Sequence, residues 1–474
     1  MTGGRTTELT AGFVAGASSE KCAGDVEAVV SRALLDTFAV SLAGQESQAA
    51  AAVRGLTGTG SSAGAGSWPG TGGWARLDPD ATGSARADAA LLGGTAAHAL
   101  DFDDYAHMGH PSAVLIPALL ALDGGRLGPR RFAEAYAVGY EVWERIARWT
   151  RPHYAAGFHT TATVGTIGAA CSAARLLGLD ADQTAAAIGV AGSLAGGLLA
   201  AFGTALKPVQ AGLAAAGGVR AALLVREGLS APLDSLDSGS GFLAAYLGAG
   251  PAAGARQSLA ELAEVLARPA AAAVLAKPPA AKPYPCCAAT HGAIEAACGL
   301  RARIGLADRE LPDQITVSTP TIGYADALTY HQPVSGLEGK FSMEYCVCAA
   351  LVHGQVGLAQ FTPEAMADPA VLAMMARVRI QTEARLDEWY LAGQVPARIE
   401  ITVRGSQYAA EVEDPVGGQT KPMQLPDIAA KFGAIAAGRL EPERISQVIE
   451  ASASLGALLQ AVQVVPAGPS AAAR

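Results

Sequence analysis

The spacing of apolar residues predicts helices through most of the chain. Between positions 8 and 44 they recur every three or four residues, as on one face of an α-helix: Val26, Val29, Val30, Ala33, Leu34 and Phe38. Similar segments follow from 86 to 250, separated by short polar breaks. In "LLGLDADQTAAAIGVAG", Gly178 predicts the end of one helix and an aspartate predicts the cap of the next. Residues 57–85, rich in Gly, Ser and Thr, predict a loop.

The pattern changes after a proline-rich stretch at 270–290. Alternating apolar positions predict strands at 313–320, 377–383 and 397–405. A helix is expected among them at 343–358, and helical spacing returns from about 425. The sequence therefore predicts a mainly α protein in which a large helical domain accompanies a smaller α+β domain. We place the helical domain at 1–275, the α+β domain at 276–420, and a return to the helical domain with a C-terminal tail at 421–474.

Composition narrows the possible partners. Half of the 474 residues are hydrophobic but only 5% are aromatic, so close packing of helices through Ala and Gly is expected. The net charge of −9, with no Lys/Arg-rich block, argues against nucleic acid as a partner. The uncharged stretch 185–206 predicts a buried helical hairpin broken at glycines rather than a membrane span. Seven irregularly spaced cysteines and an N-terminus without a secretory pattern favour a cytoplasmic location.

The segment "HALDFDDYAHMGHPSA" concentrates titratable groups beside an apolar helix. Asp101 and Asp104 are three residues apart, as are His107 and His110, so each pair could share one helix face. Pro111 disfavours helix at His110 and predicts that this residue lies on a turn. Neighbouring His and Asp side chains are typical of acid/base catalysis. A capped, solvated helix junction is the alternative, and so is a divalent metal ion, although no HExxH or paired CxxC supports a metal.

Three further segments carry candidate functional residues. In "RPHYAAGFHTTATVG", His153, Tyr154 and His159 precede a helix that Thr160 or Thr161 could cap, with its N-terminus facing an anion. An ordinary helix start is the alternative. Lys207 follows some twenty uncharged residues, so it is expected either to meet an anion or to extend to water.

The last segment, "AKPYPCCAATHGAIEAA", lies at the predicted domain junction, where ligand sites are common. It contains Lys282, Cys286, Cys287, Thr290 and His291. A reactive thiol is conceivable there, but a small buried Cys pair is the simpler interpretation.

Taken in order, these segments resemble the MmgE/PrpD family. The resemblance rests on "GTAAHALDFDD", "HPSA", "GFHTTATVGTIGAA", "FGTALKPVQAGLAA", "KPYPCCAATHGAIEAA", "GKFSMEYCVCAALVHGQVGL" and "DPVGGQTKPM", spread over roughly residues 8–450. It implies an all-helical domain, a smaller α+β lid, a homodimer, and an active site between domain and lid that uses no metal and no organic cofactor. The family's activities include 2-methylcitrate dehydration, cis-aconitate decarboxylation and iminodisuccinate epimerisation.

The resemblance also assigns individual residues. Asp101, His110, His159 and Lys207 occupy family motif positions, and Tyr154 matches the base of the epimerase. It implies that His159 or Tyr154 is a base and that His110, oriented by Asp101, is an acid. Lys282 matches a lysine that lines the decarboxylase pocket, and together with Lys207 and the helix start after His159 it would supply positive potential.

Several positions depart from the family's known members. Tyr105 stands where the decarboxylase has threonine, Cys287 stands where it has histidine, and "HPSAV" replaces the dehydratase's HPSDN. Either Tyr324 or Tyr330 could be the tyrosine that lines the decarboxylase pocket. We therefore expect a lyase that performs proton transfer on a small di- or tricarboxylate, with dehydratase-like elimination as the leading reaction. An epimerase, a decarboxylase and a non-catalytic carboxylate-binding protein are the alternatives.

Overall fold

The computed structural model describes residues 5–17, 23–57, 81–123, 127–149, 151–247, 272–306, 310–322, 324 and 327–463. Most of the predicted loop at 57–85, Cys22, part of the proline-rich stretch and the C-terminal tail lie outside these residues. Within them the chain is mainly helical with one small sheet, as the apolar spacing predicts.

The N-terminal part is a succession of helices. They are α1 (Arg5–Gly16), α2 (Ala23–Gly44), α3 (Gln48–Thr57), α4 (Gly83–His98), α5 (Pro111–Asp123), α6 (Pro129–Trp149), α7 (Arg151–Ala155), α8 (Thr160–Leu177), α9 (Ala181–Leu194), α10 (Leu206–Arg226), α11 (Phe242–Leu247) and α12 (Ala272–Ala276). The stretch predicted as helix at 8–44 contains two helices, because α1 ends at Gly16 and α2 begins at Ala23. Gly178 adopts a φ of 75° at the end of α8, and Asp180 forms a capping box with Gln183, as the sequence predicts.

The following part mixes helices with strands. In chain order these are α13 (His291–Ile304), β1 (Gln314–Thr319), α14 (Gly336–Gly339), α15 (Met343–His353), α16 (Pro363–Met366), α17 (Pro369–Met375), β2 (Val378–Thr382), α18 (Asp387–Leu391), β3 (Ala397–Val403) and β4 (Ser406–Val412). The chain then returns to helix in α19 (Leu425–Ala436), α20 (Pro442–Ala451) and α21 (Leu455–Gln463). The predicted helix at 343–358 is shorter than expected, since Gly354 ends α15 with a φ of 70°.

The four strands form one sheet in the order β2-β1-β3-β4. β1 pairs in parallel with β2, where Ile315 lies opposite Val378, and antiparallel with β3. β3 and β4 form a hairpin whose turn, Arg404–Gly405, has positive φ at both residues. That turn ends the predicted strand at 397–405 two residues early and starts β4, which the sequence analysis missed.

The chain divides into two compact units. Unit 1 comprises Met1–Ala200, Leu206–Pro279 and Gln424–Arg474, and unit 2 comprises Ala201–Ala205 and Ala280–Met423. These division points stand beside the predicted boundaries at 275 and 420.

Unit 1 is built on close contacts between helices through glycine. A Cβ on Gly212 of α10 would lie 2.2 Å from the Leu91 carbonyl oxygen of α4, and one on Gly218 would lie 2.4 Å from the Ala169 Cβ of α8. The backbones therefore approach more closely than an alanine would allow. This packing fixes α10 against α4 and α8, the helices whose ends carry the candidate site.

One helix among the described residues, α10, is long and apolar enough to cross a membrane, judged by length and composition alone. In that window 78% of the residues are buried within the protein, as is usual for a core helix. The predicted hairpin at 185–206 is partly wrong. The chain does break at Gly196 and Gly197, but the second helical arm begins only at Leu206.

Candidate active site

The segment between α4 and α5 is a tight loop rather than a helix. Asp101, His107 and Met108 all have positive φ, at 52°, 45° and 63°, a conformation that does not continue an α-helix. The prediction that Asp101 and Asp104 share one helix face is therefore wrong. The prediction for His110 is confirmed, because α5 begins at Pro111 and leaves His110 at its N-terminal end.

Lys207 lies in the first turn of α10 and is buried. Its Nζ is 2.5 Å from Asp101 Oδ1 and 2.8 Å from His98 Nε2. The Lys207 and Asp101 side chains are only 4% and 5% exposed, so the lysine meets an anion and does not extend to water. This contact corrects the expected role of Asp101, which binds the lysine. The left-handed backbone at Asp101 belongs to the tight turn that carries this carboxylate.

Asp103 is the carboxylate that orients His110. It accepts hydrogen bonds from Nδ1 of His98 at 2.9 Å and from Nδ1 of His110 at 3.1 Å, and its side chain is fully buried. Burial raises the pKa of the Asp103 carboxyl, but the two histidines outweigh burial and hold that pKa well below its usual range. A buried carboxylate with two ring N–H donors is thus the centre of the cluster.

The two rings on Asp103 differ in their surroundings. His98 is enclosed, and burial followed by the nearby Lys207 lowers its pKa despite the pull of Asp103. His110 is 13% exposed at its side chain, and its Nδ1 also lies 3.0 Å from the Asp104 carbonyl oxygen. The ring centroids are 4.3 Å apart. Of the two, His110 is the ring with access to the surroundings of the loop.

His159 is the N-cap of α8, and its ring nitrogen Nδ1 lies 2.7 Å from Gln210 Oε1. Because Gln210 donates its own amide hydrogen to the Leu198 carbonyl, its oxygen accepts from Nδ1–H. Burial, and then Lys207, hold the pKa of His159 well below its usual value. His159 is therefore a neutral imidazole whose Nε2 carries the lone pair. The expected cap by Thr160 or Thr161 is wrong, since both residues lie inside α8.

A second carboxyl, Asp104, faces the base of α5. It accepts hydrogen bonds from the backbone N–H and the hydroxyl of Ser112, and that hydroxyl also lies 2.7 Å from the Tyr136 hydroxyl. Burial, with lesser effects from Asp36 and Asp103, raises the pKa of Asp104 well above its usual value. Through Ser112 and Tyr136, this carboxyl anchors the loop to α5 and α6.

The remaining candidates of unit 1 lie in the α4–α5 loop and in α7. Tyr105 is partly buried in the loop, and Tyr154 is partly buried in α7. The His153 ring stacks on the Phe158 ring, and its Nε2 lies 2.7 Å from Thr163 Oγ1. Burial lowers the pKa of His153 to about 4. His107 stands edge-on to Tyr140, and burial lowers its pKa to about 3. His107 and His153 thus have structural partners of their own.

A metal ion could in principle use three of these groups. Among the described residues, the ligand atoms of His98, Asp103 and His110 lie within 4.8 Å of one another. Those atoms are already hydrogen-bonded within the group, and the Lys207 ammonium lies 2.8 Å from the other nitrogen of His98. A cation would have to displace both Nδ1 protons and face that ammonium, so the donor set fits a hydrogen-bonded network better.

The candidates of unit 2 lie in one segment and are mostly buried. Lys282 is fully buried and donates to the Cys286 carbonyl oxygen at 3.0 Å, and His291 Nε2 lies 3.2 Å from the same oxygen. Cys286 is buried 3.2 Å from the Thr290 hydroxyl, whereas Cys287 is partly exposed. The buried Cys pair that the sequence favours therefore holds for Cys286 only.

Both tyrosines that the resemblance offers for the pocket are hydrogen-bonded within unit 2. Tyr324 is buried and donates its hydroxyl to the Pro396 carbonyl oxygen at 3.0 Å. The Tyr330 hydroxyl donates to the Phe202 carbonyl oxygen at 2.9 Å. The Tyr330 ring packs on Gly203, where a Cβ would lie 2.4 Å from Tyr330 Cε2. The choice between the two stays open.

Sequence reasoning missed three members of the cluster: His98, Asp103 and Gln210. The first two lie in the stretch that the sequence analysis singled out, but their roles depend on which side chains the loop turns together. Gln210 follows Lys207 by almost one helical turn, so the signal for it was its place on the same face of α10.

Comparison with known proteins agrees with the motif series. The model of the MmgE/PrpD N-terminal domain matches residues 8–254, and that of the C-terminal domain matches residues 284–455. The cis-aconitate decarboxylase of Mus musculus is 28% identical over 379 residues, covering 76% of this chain and 74% of the relative. The Homo sapiens enzyme of that name is 28% identical (76% and 75% covered), and the Aspergillus terreus one is 27% identical (76% and 76%).

Proposed function

The chain belongs to the MmgE/PrpD family, and on that premise we propose that it is a lyase that moves a proton at a carbon beside a carboxylate group of a small di- or tricarboxylate. Asp101, His110, Tyr154, His159 and Lys207 are the proposed catalytic residues. Tyr105, Lys282, Cys287 and His291 are the proposed contributors to substrate binding. No metal or organic cofactor is part of the proposal.

One observation carries the proposal: the rings of His159 and His110 have hydrogen-bond partners of different charge. His159 hydrogen-bonds to a neutral amide and lies near the Lys207 ammonium, which disfavours a second proton on the ring. His110 hydrogen-bonds to the Asp103 carboxylate, which stabilises an imidazolium. A neutral base and a chargeable acid in one cluster are what an elimination needs.

The leading reaction is a dehydratase-like elimination. His159 Nε2 would take the proton from the carbon, the electron pair would form the new C=C bond, and the C–O bond would break. His110 would donate a proton to the departing hydroxide so that water leaves. Lys207 would stabilise the negative charge that develops on the neighbouring carboxylate.

Decarboxylation is the second candidate, and the names of the relatives favour it. There the C–C bond would break, carbon dioxide would leave, and His110 would protonate the remaining carbanion. That reaction needs the acid and the cation but not the base. An epimerase would instead need a second base, for which Tyr154 is the candidate.

The test is proton NMR in D₂O with the purified protein and a metal chelator. The panel is citrate, 2-methylcitrate, cis-aconitate, iminodisuccinate, malate and tartrate. An alkene signal from a hydroxy acid identifies a dehydratase, and loss of cis-aconitate with release of carbon dioxide identifies a decarboxylase. Deuterium entering iminodisuccinate without further product identifies an epimerase.

A Lys207→Ala variant separates an enzyme from a carboxylate-binding protein. An enzyme loses turnover at saturating substrate, whereas a binder loses affinity alone. Binding of a panel member with neither deuterium exchange nor turnover would refute the lyase. Activity that the chelator abolishes would refute the metal-free mechanism.

We also propose a homodimer, as the resemblance implies. Sedimentation velocity of the purified chain tests it, since the chain mass is 47.7 kDa and a dimer doubles it.

A further inference from the structure

We propose that Lys431, on the C-terminal helix α19, is a positioning residue of the candidate active site, because it fixes the backbone of the α4–α5 loop at Phe102. Phe102 stands between Asp101 and Asp103, the two carboxylates that bind the bases and the cation of the site. The proposal rests on the proposed function, in which the groups bound by these carboxylates act on the substrate. The fixing of the loop is a property of the protein alone and can be measured without a substrate.

Lys431 makes three close contacts, two of them with Phe102. Its Nζ donates to the Phe102 carbonyl oxygen at 2.7 Å and lies 3.9 Å from the centre of the Phe102 ring. The same Nζ is 2.7 Å from Oδ1 of Asp36 on α2. The Lys431 side chain is 5% exposed and that of Asp36 is 1% exposed, so solvent weakens these contacts little. One ammonium group thus joins α2, the α4–α5 loop and α19.

The position of Phe102 decides where the two neighbouring carboxylates point. Asp101 has a φ of 52°, a conformation that is unfavourable for a residue other than glycine and needs support from its surroundings. The Phe102 ring and carbonyl face Lys431, whereas Asp101 and Asp103 face Lys207 and the two histidines. Fixing Phe102 therefore fixes the backbone from which both carboxylates extend.

The charge of Lys431 also suits this place. Burial lowers the pKa of Lys431 most, and the carboxylates of Asp36, Asp103 and Asp104 oppose that effect. The ammonium group thus lies near the acidic side chains of the loop as well as that of α2. Its removal would leave all three with less positive charge around them.

Two substitutions break the ion pair of Lys431 and Asp36 from opposite ends, and one of them releases the loop. Lys431→Met removes the ammonium and with it the bond to the Phe102 carbonyl oxygen. Asp36→Asn removes the charge of the partner but leaves the lysine, its bond to Phe102 and an oxygen at position 36 that accepts. Both should lower the stability of the protein, since each breaks a buried ion pair. Lys431→Met alone should disturb the loop.

Hydrogen exchange of the full chain, followed by mass spectrometry of its peptides, measures the loop without a substrate. A loss of global stability speeds exchange through global unfolding, whereas local opening affects the segment that opens. In Lys431→Met we expect exchange at residues 100–110 to speed up, relative to the wild type, about tenfold or more beyond the increase in the middle of α8. The loss of one hydrogen bond to a charged group implies that factor. In Asp36→Asn the loop should show no larger increase than α8.

Activity gives a second readout. With any panel member that the wild-type protein turns over, Lys431→Met should lose about 10²-fold in kcat, since displacing catalytic groups by about 1 Å costs that much. The change in KM should be smaller, and Asp36→Asn should keep the wild-type kcat. If Lys431→Met does not fold, the double variant with Asp36→Asn replaces it. That variant buries no unpaired carboxylate at position 36 but still lacks the bond to Phe102.

The two readouts separate this proposal from the proposed function. The expected exchange in Lys431→Met, with no turnover of any panel member by the wild type, would refute the lyase but support the fixing of the loop. A wild-type kcat in folded Lys431→Met, or exchange in the loop that rises no more than in α8, would overturn the proposal and leave the lyase standing. An equal loss of kcat in Asp36→Asn also contradicts it, because the ion pair rather than the bond to Phe102 would then matter.

Discussion

The buried pair of Lys207 and Asp101 predicts that a double variant recovers part of the stability that a single variant loses, but none of its activity. Lys207→Met removes the ammonium but keeps most of the side-chain volume, which leaves the Asp101 carboxylate buried without its cation. Asp101→Asn removes the charge but keeps an oxygen that can accept from the lysine. Asparagine also tolerates the left-handed backbone at this position, where φ is 52°.

The size of each effect follows from burial. The two side chains are 4% and 5% exposed, so solvent screens their charges little. Removing one partner of a buried ion pair costs about 3–5 kcal/mol, which is the expected loss for Lys207→Met. Asp101→Asn should cost about 1–3 kcal/mol, because the hydrogen bond survives in weaker form. The double variant buries no unpaired carboxylate there, so it should be at least ~2 kcal/mol more stable than Lys207→Met alone.

Urea unfolding followed by far-ultraviolet circular dichroism measures these differences, since that signal reports mainly the helices of unit 1. With a slope of about 3 kcal/mol per molar, the Lys207→Met midpoint should fall by roughly 1 M or more. The double variant should recover part of this shift but none of the turnover, since it lacks the cation. A double variant as unstable as Lys207→Met, or less stable, would refute the idea that the two groups form a buried ion pair.

Three other results are expected. Lys431→Met should lower the melting temperature by several degrees, because Lys431 pairs with Asp36 at 2.7 Å and donates to the Phe102 carbonyl oxygen at 2.7 Å. The loss of this buried ion pair should reduce the free energy of unfolding by about 3–5 kcal/mol. An unchanged melting temperature contradicts this prediction. Gly212→Ala should destabilise by about 1–3 kcal/mol or prevent folding, since its Cβ would lie 2.2 Å from a carbonyl oxygen, whereas Gly12→Ala, with nothing within 4 Å, should be neutral or stabilising; equal effects would refute the close helix contact. Burial lowers the pKa of His153 from 6.5 to about 4, so the unfolded chain binds a proton there first and stability falls as pH drops from about 6.5 to about 4; His153→Gln should flatten this part of the curve of unfolding free energy against pH, and a slope equal to that of the wild type contradicts it.

The sequence predicts the elements of this protein better than it predicts the contacts of the site. The spacing of apolar residues and the residues that cap or end a helix are local properties, so short segments were enough to predict several elements. These include the helix end at Gly178, the cap of α9, the strand at 314–319 and the start of α5 at Pro111. β4 was missed because the turn at Arg404–Gly405 interrupts an alternation that otherwise reads as one strand.

The pairing of side chains at the candidate site could not be predicted from local patterns. Helical spacing paired Asp101 with Asp104, but three non-glycine residues with positive φ fold the segment into a loop. Which aspartate binds which base then depends on α10, more than a hundred residues away in sequence. No local pattern states that Asp101 meets Lys207 and that Asp103 meets His110. The family resemblance supplied the identities of the candidate site residues, and only the folded chain supplied their pairing.

The discontinuity of unit 1 has a consequence for how the protein is made. The loop that carries Asp101 and Asp103 is held at Phe102 by Lys431, which lies 329 residues further along the chain. During synthesis, unit 2 must be translated before α19 leaves the ribosome, which at 5–20 residues per second takes on the order of ten seconds. Throughout that interval Asp36 and the loop lack their lysine. We therefore expect nascent chains that stop before residue 424 to expose this buried polar region, and chaperones or proteases to meet the protein at that stage.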